Sequence, residues 1–291
     1  MLMLIVAISV WSVWWPRRGM VAVAAMGGSF DDPQMTQRIR IASRRPPTPI
    51  ISLIGPWIGP HLLWLTTDDR IESINLFEVY QRRPDLTPLK HFPRPNSLIL
   101  QGRHLGAGLE RPATMDSLRS VYVGGIESTT DLGELRHFPR LDEVTLGSAP
   151  ATVGGLERLS LLPKLERVVF NHAPSPLAMR GLGQCSELKS LLFNGGIDDA
   201  EGLQFLRKLR NLRVFQTSGG SPIDVIGLTD LAQMTSLEIL ILHSTTVTDE
   251  ELQVLAENPM LRHILVHGSN ITQAGIDRLR AAMPNCNIRW P

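Results

Sequence analysis

A six-residue frame, apolar-x-x-apolar-x-apolar, returns ten times between residues 71 and 288. It begins at Ile71, Ile74 and Leu76 and continues at Leu98 and Leu100, with Pro95 in first place. Then come Leu118, Val121 and Val123; Leu141, Val144 and Leu146; Leu165, Val168 and Phe170; Leu188, Leu191 and Phe193. Leu212, Phe215 and Thr217; Leu237, Leu240 and Leu242; Leu261, Ile264 and Val266 follow, and Met283, Cys286 and Ile288 close the series. Successive starts lie 22 to 25 residues apart. A unit of this length cannot bury its apolar side alone, so neighbouring units must stack and share one core.

Within a unit the fourth and sixth positions alternate as side chains of a short strand do, both on the face turned into a core. The chain must then return, and several connecting segments carry helix signals. In 247–258, Thr248 and Glu251 have capping-box spacing, with Leu252 and Leu255 on one side. In 271–283, Ile271, Ile276, Leu279 and Met283 are apolar and Pro284 stops the helix. Asp198 and Glu201 are expected to open another such turn before Leu203, Leu206 and Leu209. Stretches 95–115 and 147–153, with Pro, Gly and irregular spacing, are expected to be loops or 3-10 turns. The fold class expected is an α/β solenoid.

The frame L-x-x-L-x-L, followed by a further apolar residue, resembles the leucine-rich repeat. Units such as LEILILHSTTVTDEELQVL (237–255) and LRHILVHGSNITQAGIDRL (261–279) are similar to the ribonuclease-inhibitor-like variant, whose convex helix is introduced by I/V-T-D. The resemblance covers 71–288. It implies a horseshoe with a parallel concave sheet and a convex side of short helices or 3-10 turns. The family's Asn ladder is missing: the ninth position holds Val79, Arg103, Ile126, Ala149, Ala173, Gly196, Gly220, Thr245 and Ser269.

Composition narrows the function. With 29 basic and 28 acidic side chains the net charge is +1, which leaves no surplus to hold a nucleic-acid backbone, so no nucleic-acid partner is expected. Cys185 and Cys286 belong to no CxxC pair, which excludes a zinc-finger framework and a disulfide-dense scaffold. Both cysteines read as small buried hydrophobes, Cys286 at a core place of the last frame. The chain has no GxSxG, GxGxxG, GxxxxGK[ST], HExxH or EF-hand loop. No enzyme activity and no cofactor are expected. His243 and His267 occupy the seventh position of adjacent units and are expected side by side, about 5 Å apart at the backbone. A metal there would need further ligands, and His263, Asn194 and Ser218 are the polar candidates on that surface. A structural or partner-contacting role is therefore expected for the pair, and no metal.

The N-terminus differs in character. Met1 to Trp15 is almost unbroken apolar sequence, ending in Trp14, Trp15, Pro16, Arg17 and Arg18, an interfacial aromatic pair followed by charge. As a helix, fifteen residues reach about 22 Å, short of a hydrocarbon core of about 30 Å. A signal peptide is the rival, against which stand the missing charged n-region and the missing A-x-A site directly after the run; a start assigned too late is a third reading. The order of apolar run, Trp pair, Arg pair and small residues resembles membrane-anchored bacterial leucine-rich repeat proteins. It implies a single-pass N-terminal anchor, an apolar helix in 1–30. The basic stretch that precedes such an anchor is absent, while Arg17 and Arg18 argue for a cytoplasmic repeat domain, so the side of the membrane stays open. Residues 31–49, with Arg38, Arg40, Arg44 and Arg45 among prolines, read as a linker. Residues 50–70, broken by Gly55, Pro56, Gly59 and Pro60, read as an N-terminal cap, and 71–291 as the repeat domain.

In this frame the third, fifth and seventh positions point away from the core. The fifth positions are Asn75, Ile99, Tyr122, Thr145, Val169, Leu192, Gln216, Ile241, Leu265 and Asn287, six of them apolar. An apolar row on a surface marks a contact site, although strand propensity alone also favours Val, Ile and Tyr. Tyr122, Val169, Leu192, Ile241 and Leu265, with His243 and His267, are the expected partner-binding residues. Charged second positions of mixed sign are expected to serve solubility. The function expected is a monomeric, non-catalytic protein-interaction scaffold tethered to a membrane. Recognition of a cell-surface glycan or peptidoglycan is one alternative, for which Tyr122 and Phe77 are the aromatic platforms at hand. A substrate-recognition subunit of a larger enzyme complex is the other.

Overall fold

The computed structural model describes residues 38–39, 41–43, 51–52, 71–76, 96–101, 115–125, 129–147, 152–218, 223–268 and 270–290. The expected anchor in 1–30, and the expected cap in 50–70 apart from 51–52, lie outside them. The chain divides into two units, 1–122 and 123–291.

In the first unit, β1 (Arg38–Ile39) and β2 (Ile41–Ser43) fall in the stretch expected as a linker. They are followed by β3 (Ile51–Ser52), β4 (Ile71–Leu76) and β5 (Ser97–Gln101). β1 pairs antiparallel with β3, and β2 antiparallel with β4. β4 and β5 are parallel, with Ile74 level with Leu98 and Leu76 level with Leu100. Fourth positions thus meet fourth and sixth meet sixth, the register the frame requires, and Leu98 and Leu100 are buried. Strand β6 (Ser120–Gly124) contains the boundary between the units.

The second unit repeats one motif. After a 3-10 turn at Thr129–His137 come β7 (Glu143–Leu146), α1 (Val153–Glu157) running into a 3-10 turn at Arg158–Leu161, and β8 (Arg167–Phe170). Next are α2 (Pro176–Leu182), β9 (Ser190–Phe193), a 3-10 turn at Ala200–Gly202 leading into α3 (Leu203–Leu206), and β10 (Val214–Thr217). The unit ends with α4 (Val225–Ala232), β11 (Ile239–Thr245), α5 (Asp249–Leu252) with a 3-10 turn at Gln253–Glu257, β12 (His263–Gly268), α6 (Gln273–Ala282) and β13 (Asn287–Arg289). Strands β7 to β13 pair in parallel, each with the next in sequence. This is a leucine-rich-repeat solenoid, shown by the chain's own register: a parallel strand, a turn and a short helical return, over and over.

Backbone hydrogen bonds carry the period. The Asp142 carbonyl accepts from the N–H of Glu166 and of Arg167, both at 2.9 Å. Glu166 accepts in the same way from Lys189 and Ser190, Lys189 from Arg213 and Val214, Arg213 from Glu238 and Ile239, and Glu238 from Arg262 and His263. One carbonyl per unit, at the second position, thus locks the next strand into place and satisfies groups the turn would otherwise strand.

The core is built as the frame predicts. Val144, Val168, Leu191, Phe215 and Leu240 are wholly buried at fourth positions, and Phe193, Leu242 and Val266 at sixth. Phe170 stacks on Phe193 with centroids 5.3 Å apart, and Phe193 meets Phe215 at 5.8 Å. Each such side chain removed from water contributes about 1.5–3 kcal/mol. The position three before each start is a second buried column: Phe138, Leu162, Cys185, Leu209, Met234 and Asn258. Asn258 is accommodated because its Nδ2 donates to the Met234 carbonyl and its Oδ1 accepts from the Met260 N–H, both at 2.9 Å. Thr217 is the opposite case, with a buried hydroxyl that has no hydrogen-bond partner among the described residues.

The returns begin on side-chain caps. Thr152, Ser175, Asp224, Thr248 and Thr272 accept from backbone N–H groups of the first turn of α1, α2, α4, α5 and α6. The capping box of Thr248 and Glu251 forms as expected. The turn expected from Asp198 is capped instead by Asp199, whose carboxylate accepts from Glu201 N–H at 2.8 Å. Gly196 takes φ 83°, a left-handed conformation that glycine adopts without strain.

The last frame needs correction. Ile288 pairs with Ile264, a fourth position, and Arg289 with Leu265, a fifth. On that register Met283 falls level with Pro259 and not with a first position, and the frame of Met283, Cys286 and Ile288 is out of register. Cys286 is accordingly half-buried and not a core residue. The apolar spacing arises there because Met283, the C-cap of α6, and Ile288 of β13 lie close in sequence.

Candidate functional site

Opposite the helices, the sheet of the second unit presents its third, fifth and seventh positions. Register stacks the fifth positions in the order Thr145, Val169, Leu192, Gln216, Ile241, Leu265 and Arg289. Leu192, Ile241 and Leu265 are half-buried. Val169 is only 9% exposed, which corrects the expectation that it faces solvent; Thr145 and Leu192 flank it in register. The expected continuous apolar ridge is also broken, because Gln216 separates Leu192 from Ile241. Tyr122, half-buried in β6, belongs to the first unit.

Seventh positions form a polar row beside this one. Asn194 Nδ2 donates to Asn171 Oδ1 at 3.1 Å, and His243 lies level with His267 as the spacing predicts. His243 is half-buried and His267 exposed. Among the described residues no cluster of three or more His, Cys, Asp or Glu is placed to hold a metal. Second and third positions form cross-unit ion pairs: Lys189 with Glu166 at 2.7 Å, Arg213 with Glu238 at 3.4 Å and Arg167 with Glu143 at 3.7 Å. Charges expected to serve solubility alone thus also bridge neighbouring units, each exposed pair at about 0–1 kcal/mol.

At the C-terminal end of the sheet the surface sinks into a groove of about 500 Å³ lined by His243, Leu265, His267, Arg280, Ile288, Arg289 and Trp290. Three of the expected site residues, Leu265, His243 and His267, come together here. Arg280 reaches the groove from α6, held by Asp277 at 3.2 Å and by the Ile288 carbonyl at 3.1 Å. Arg289 and Trp290 escaped the sequence reading because of the misplaced last frame. With Ile288 at the fourth position, Arg289 falls into the fifth-position row.

The cysteines offer no ready nucleophile. Burial pushes the Cys185 thiol up to about 12, so it stays protonated at neutral pH. Burial also raises Cys286, against a smaller pull downward from the Arg262 charge and the Ile264 N–H.

No family model matches the chain, and no curated protein matches it. Among solved structures, an internalin from Listeria monocytogenes is similar over 76% of this chain, with 17% identity and a TM-score of 0.45. A leucine-rich-repeat protein from Leptospira interrogans matches over 76% with 14% identity and a TM-score of 0.32. TLR13, in its complex with ssRNA13, matches over 76% with 16% identity and a TM-score of 0.42. This chain spans 61%, 72% and 35% of those three chains.

Proposed function

We propose that the chain is a non-catalytic protein-interaction scaffold whose partner docks on the open face of the sheet in 123–291. The observation that carries this reading is the set of half-buried apolar side chains at fifth positions, Leu192 on one side of Gln216 and Ile241 and Leu265 on the other, with Leu265 lining a groove that also holds Ile288 and Trp290. Each large apolar side chain desolvated in a contact contributes about 1.5–3 kcal/mol, so several are needed to offset an association cost of about 4–15 kcal/mol. Glycan recognition asks for aromatic platforms, and Trp290 has no second phenyl or indole ring beside it in the groove. The proposal includes tethering to a membrane through the apolar run of Met1 to Trp15, supported by the Trp pair and Arg pair that follow, with the side of the membrane left open.

The test combines a pull-down of the full-length chain, followed by mass spectrometry, with affinity and circular dichroism for variants. Leu192→Glu and Ile241→Glu are expected to weaken binding of the identified partner at least tenfold with the spectrum unchanged. Val169→Glu, at a buried place in the same row, is expected to disturb the spectrum itself. Retained affinity in the first two variants moves the site to the loops or helices. Release of full-length protein from membranes by carbonate refutes the anchor.

A further inference from the structure

The groove at the end of the sheet has a chemistry of its own. Among its lining side chains are two guanidinium groups and two imidazoles, and no carboxylate. Arg280 is already neutralised by Asp277. The Arg289 guanidinium is exposed and makes no ion pair or hydrogen bond among the described residues. His243 and His267, level with one another on adjacent strands, likewise make no hydrogen bond among the described residues. Among the described residues, then, one unpaired guanidinium and two imidazoles without a hydrogen bond stand beside an apolar wall of Leu265, Ile288 and Trp290. A charge-assisted bond from guanidinium to carboxylate is stronger and more directional than a neutral one.

From this we infer that the groove takes an acidic peptide segment of the partner, with one Asp or Glu side chain on Arg289, its free oxygen within reach of an imidazole N–H, and a neighbouring apolar side chain against Trp290 and Leu265. The inference rests on the reading of the sheet as a protein-docking surface and gives that surface its partner chemistry. The volume fits one or two side chains and lies in the range of ordinary binding pockets. A nucleic-acid strand is the poorer match. It brings a charge at every nucleotide, and the groove has a single guanidinium unpaired among the described residues, in a chain of net charge +1.

The experiment pans a library of random heptapeptides on immobilised full-length protein and sequences what is retained. Enrichment of Asp or Glu next to Leu, Ile, Phe or Trp is expected, and Arg289→Gln, at an exposed position, is expected to abolish it with the circular dichroism spectrum unchanged. For a selected peptide, replacing the acidic residue by its amide is expected to weaken binding at least tenfold in the native protein and less than twofold in Arg289→Gln. No enrichment, enrichment indifferent to Arg289→Gln, or displacement of the peptide by a single-stranded oligonucleotide overturns the inference. If the partner from the pull-down is lost in Ile241→Glu but binds Arg289→Gln unchanged, the docking surface stands and the acidic groove falls. If it binds both variants unchanged, the docking surface falls as well.

Discussion

Helices α1 and α2 meet backbone against bare backbone, whereas α5 and α6 meet through a carboxylate. In the first pair, Gly181 of α2 faces α1 so closely that a methyl group there would overlap the Val153 carbonyl oxygen and lie 2.8 Å from Glu157 N. In the second, the space beside Gly275 of α6 is filled by the Asp249 carboxylate, which also accepts from the Thr272 N–H at 2.8 Å and from the Thr272 hydroxyl. Both pairs solve one problem, packing short helices a single repeat apart. The first contact cannot yield, because a backbone carbonyl has nowhere to turn. The second can rotate away and depends on charge.

The largest effect is expected at Gly181→Ala. Helix propensity favours alanine by about 0.5–1 kcal/mol, while overpacking costs about 1–3 kcal/mol or more. With backbone as the obstacle the clash wins, and a net loss of about 2–3 kcal/mol should appear as a lower urea midpoint. An unchanged midpoint would mean that the two helices stand further apart.

At Gly275→Ala the obstacle is a side chain, so the loss is expected to be smaller, about 1–2 kcal/mol, the scale of a disrupted helix cap. A double variant with Asp249→Ala should recover part of it; full additivity of the two losses would show that the carboxylate is not what glycine makes room for.

The same carboxylate makes one pair sensitive to acid. The Thr272 hydroxyl, then the Thr272 N–H and more weakly the Arg278 charge, hold Asp249 below the usual carboxylate range against the opposing effect of desolvation. A group depressed in the folded state contributes stability that is present above its unfolded pKa and is lost as pH falls through the folded one. Asp249→Asn is therefore expected to flatten the acid limb of the stability profile, while Gly181→Ala shifts the whole profile without changing its slope. Denaturation midpoints measured from neutral pH down through the carboxylate range decide it.

The smallest effect has the opposite sign. Gly154, also in α1, has nothing among the described residues within 4 Å of where its Cβ would stand. Gly154→Ala is expected to raise stability by about 0.4–1 kcal/mol, through the unfolded chain and without a new contact. A loss would indicate an undetected close approach on that side of the helix.

Much of the architecture was legible because each unit repeats the same decision. Leu240 and Ile264 occupy equivalent places in their units, and one period predicts both. The capping box of Thr248 and Glu251 was visible because it is local, set by residues three apart. Asp199 was passed over for Asp198 because two adjacent acids satisfy the same local rule, and only the course of the chain after Gly196 selects one. Part of the groove was legible, in Leu265, His243 and His267. Arg289 and Trp290 were not, because the Met283 spacing imitates a strand start where the repeat is ending.

Sequence alone determined the periodic core and the helical returns of this protein, because both rest on side-chain alternation and on caps within one unit. Tertiary structure alone decided what each face offers: that Val169 is covered, that charged second positions pair across units, and that Arg289 opens beside two imidazoles. Those facts depend on which residue of one unit lies against which residue of the next. The spacing between units varies from 22 to 25 residues, and a slip of one residue in a strand turns every side chain to the other face.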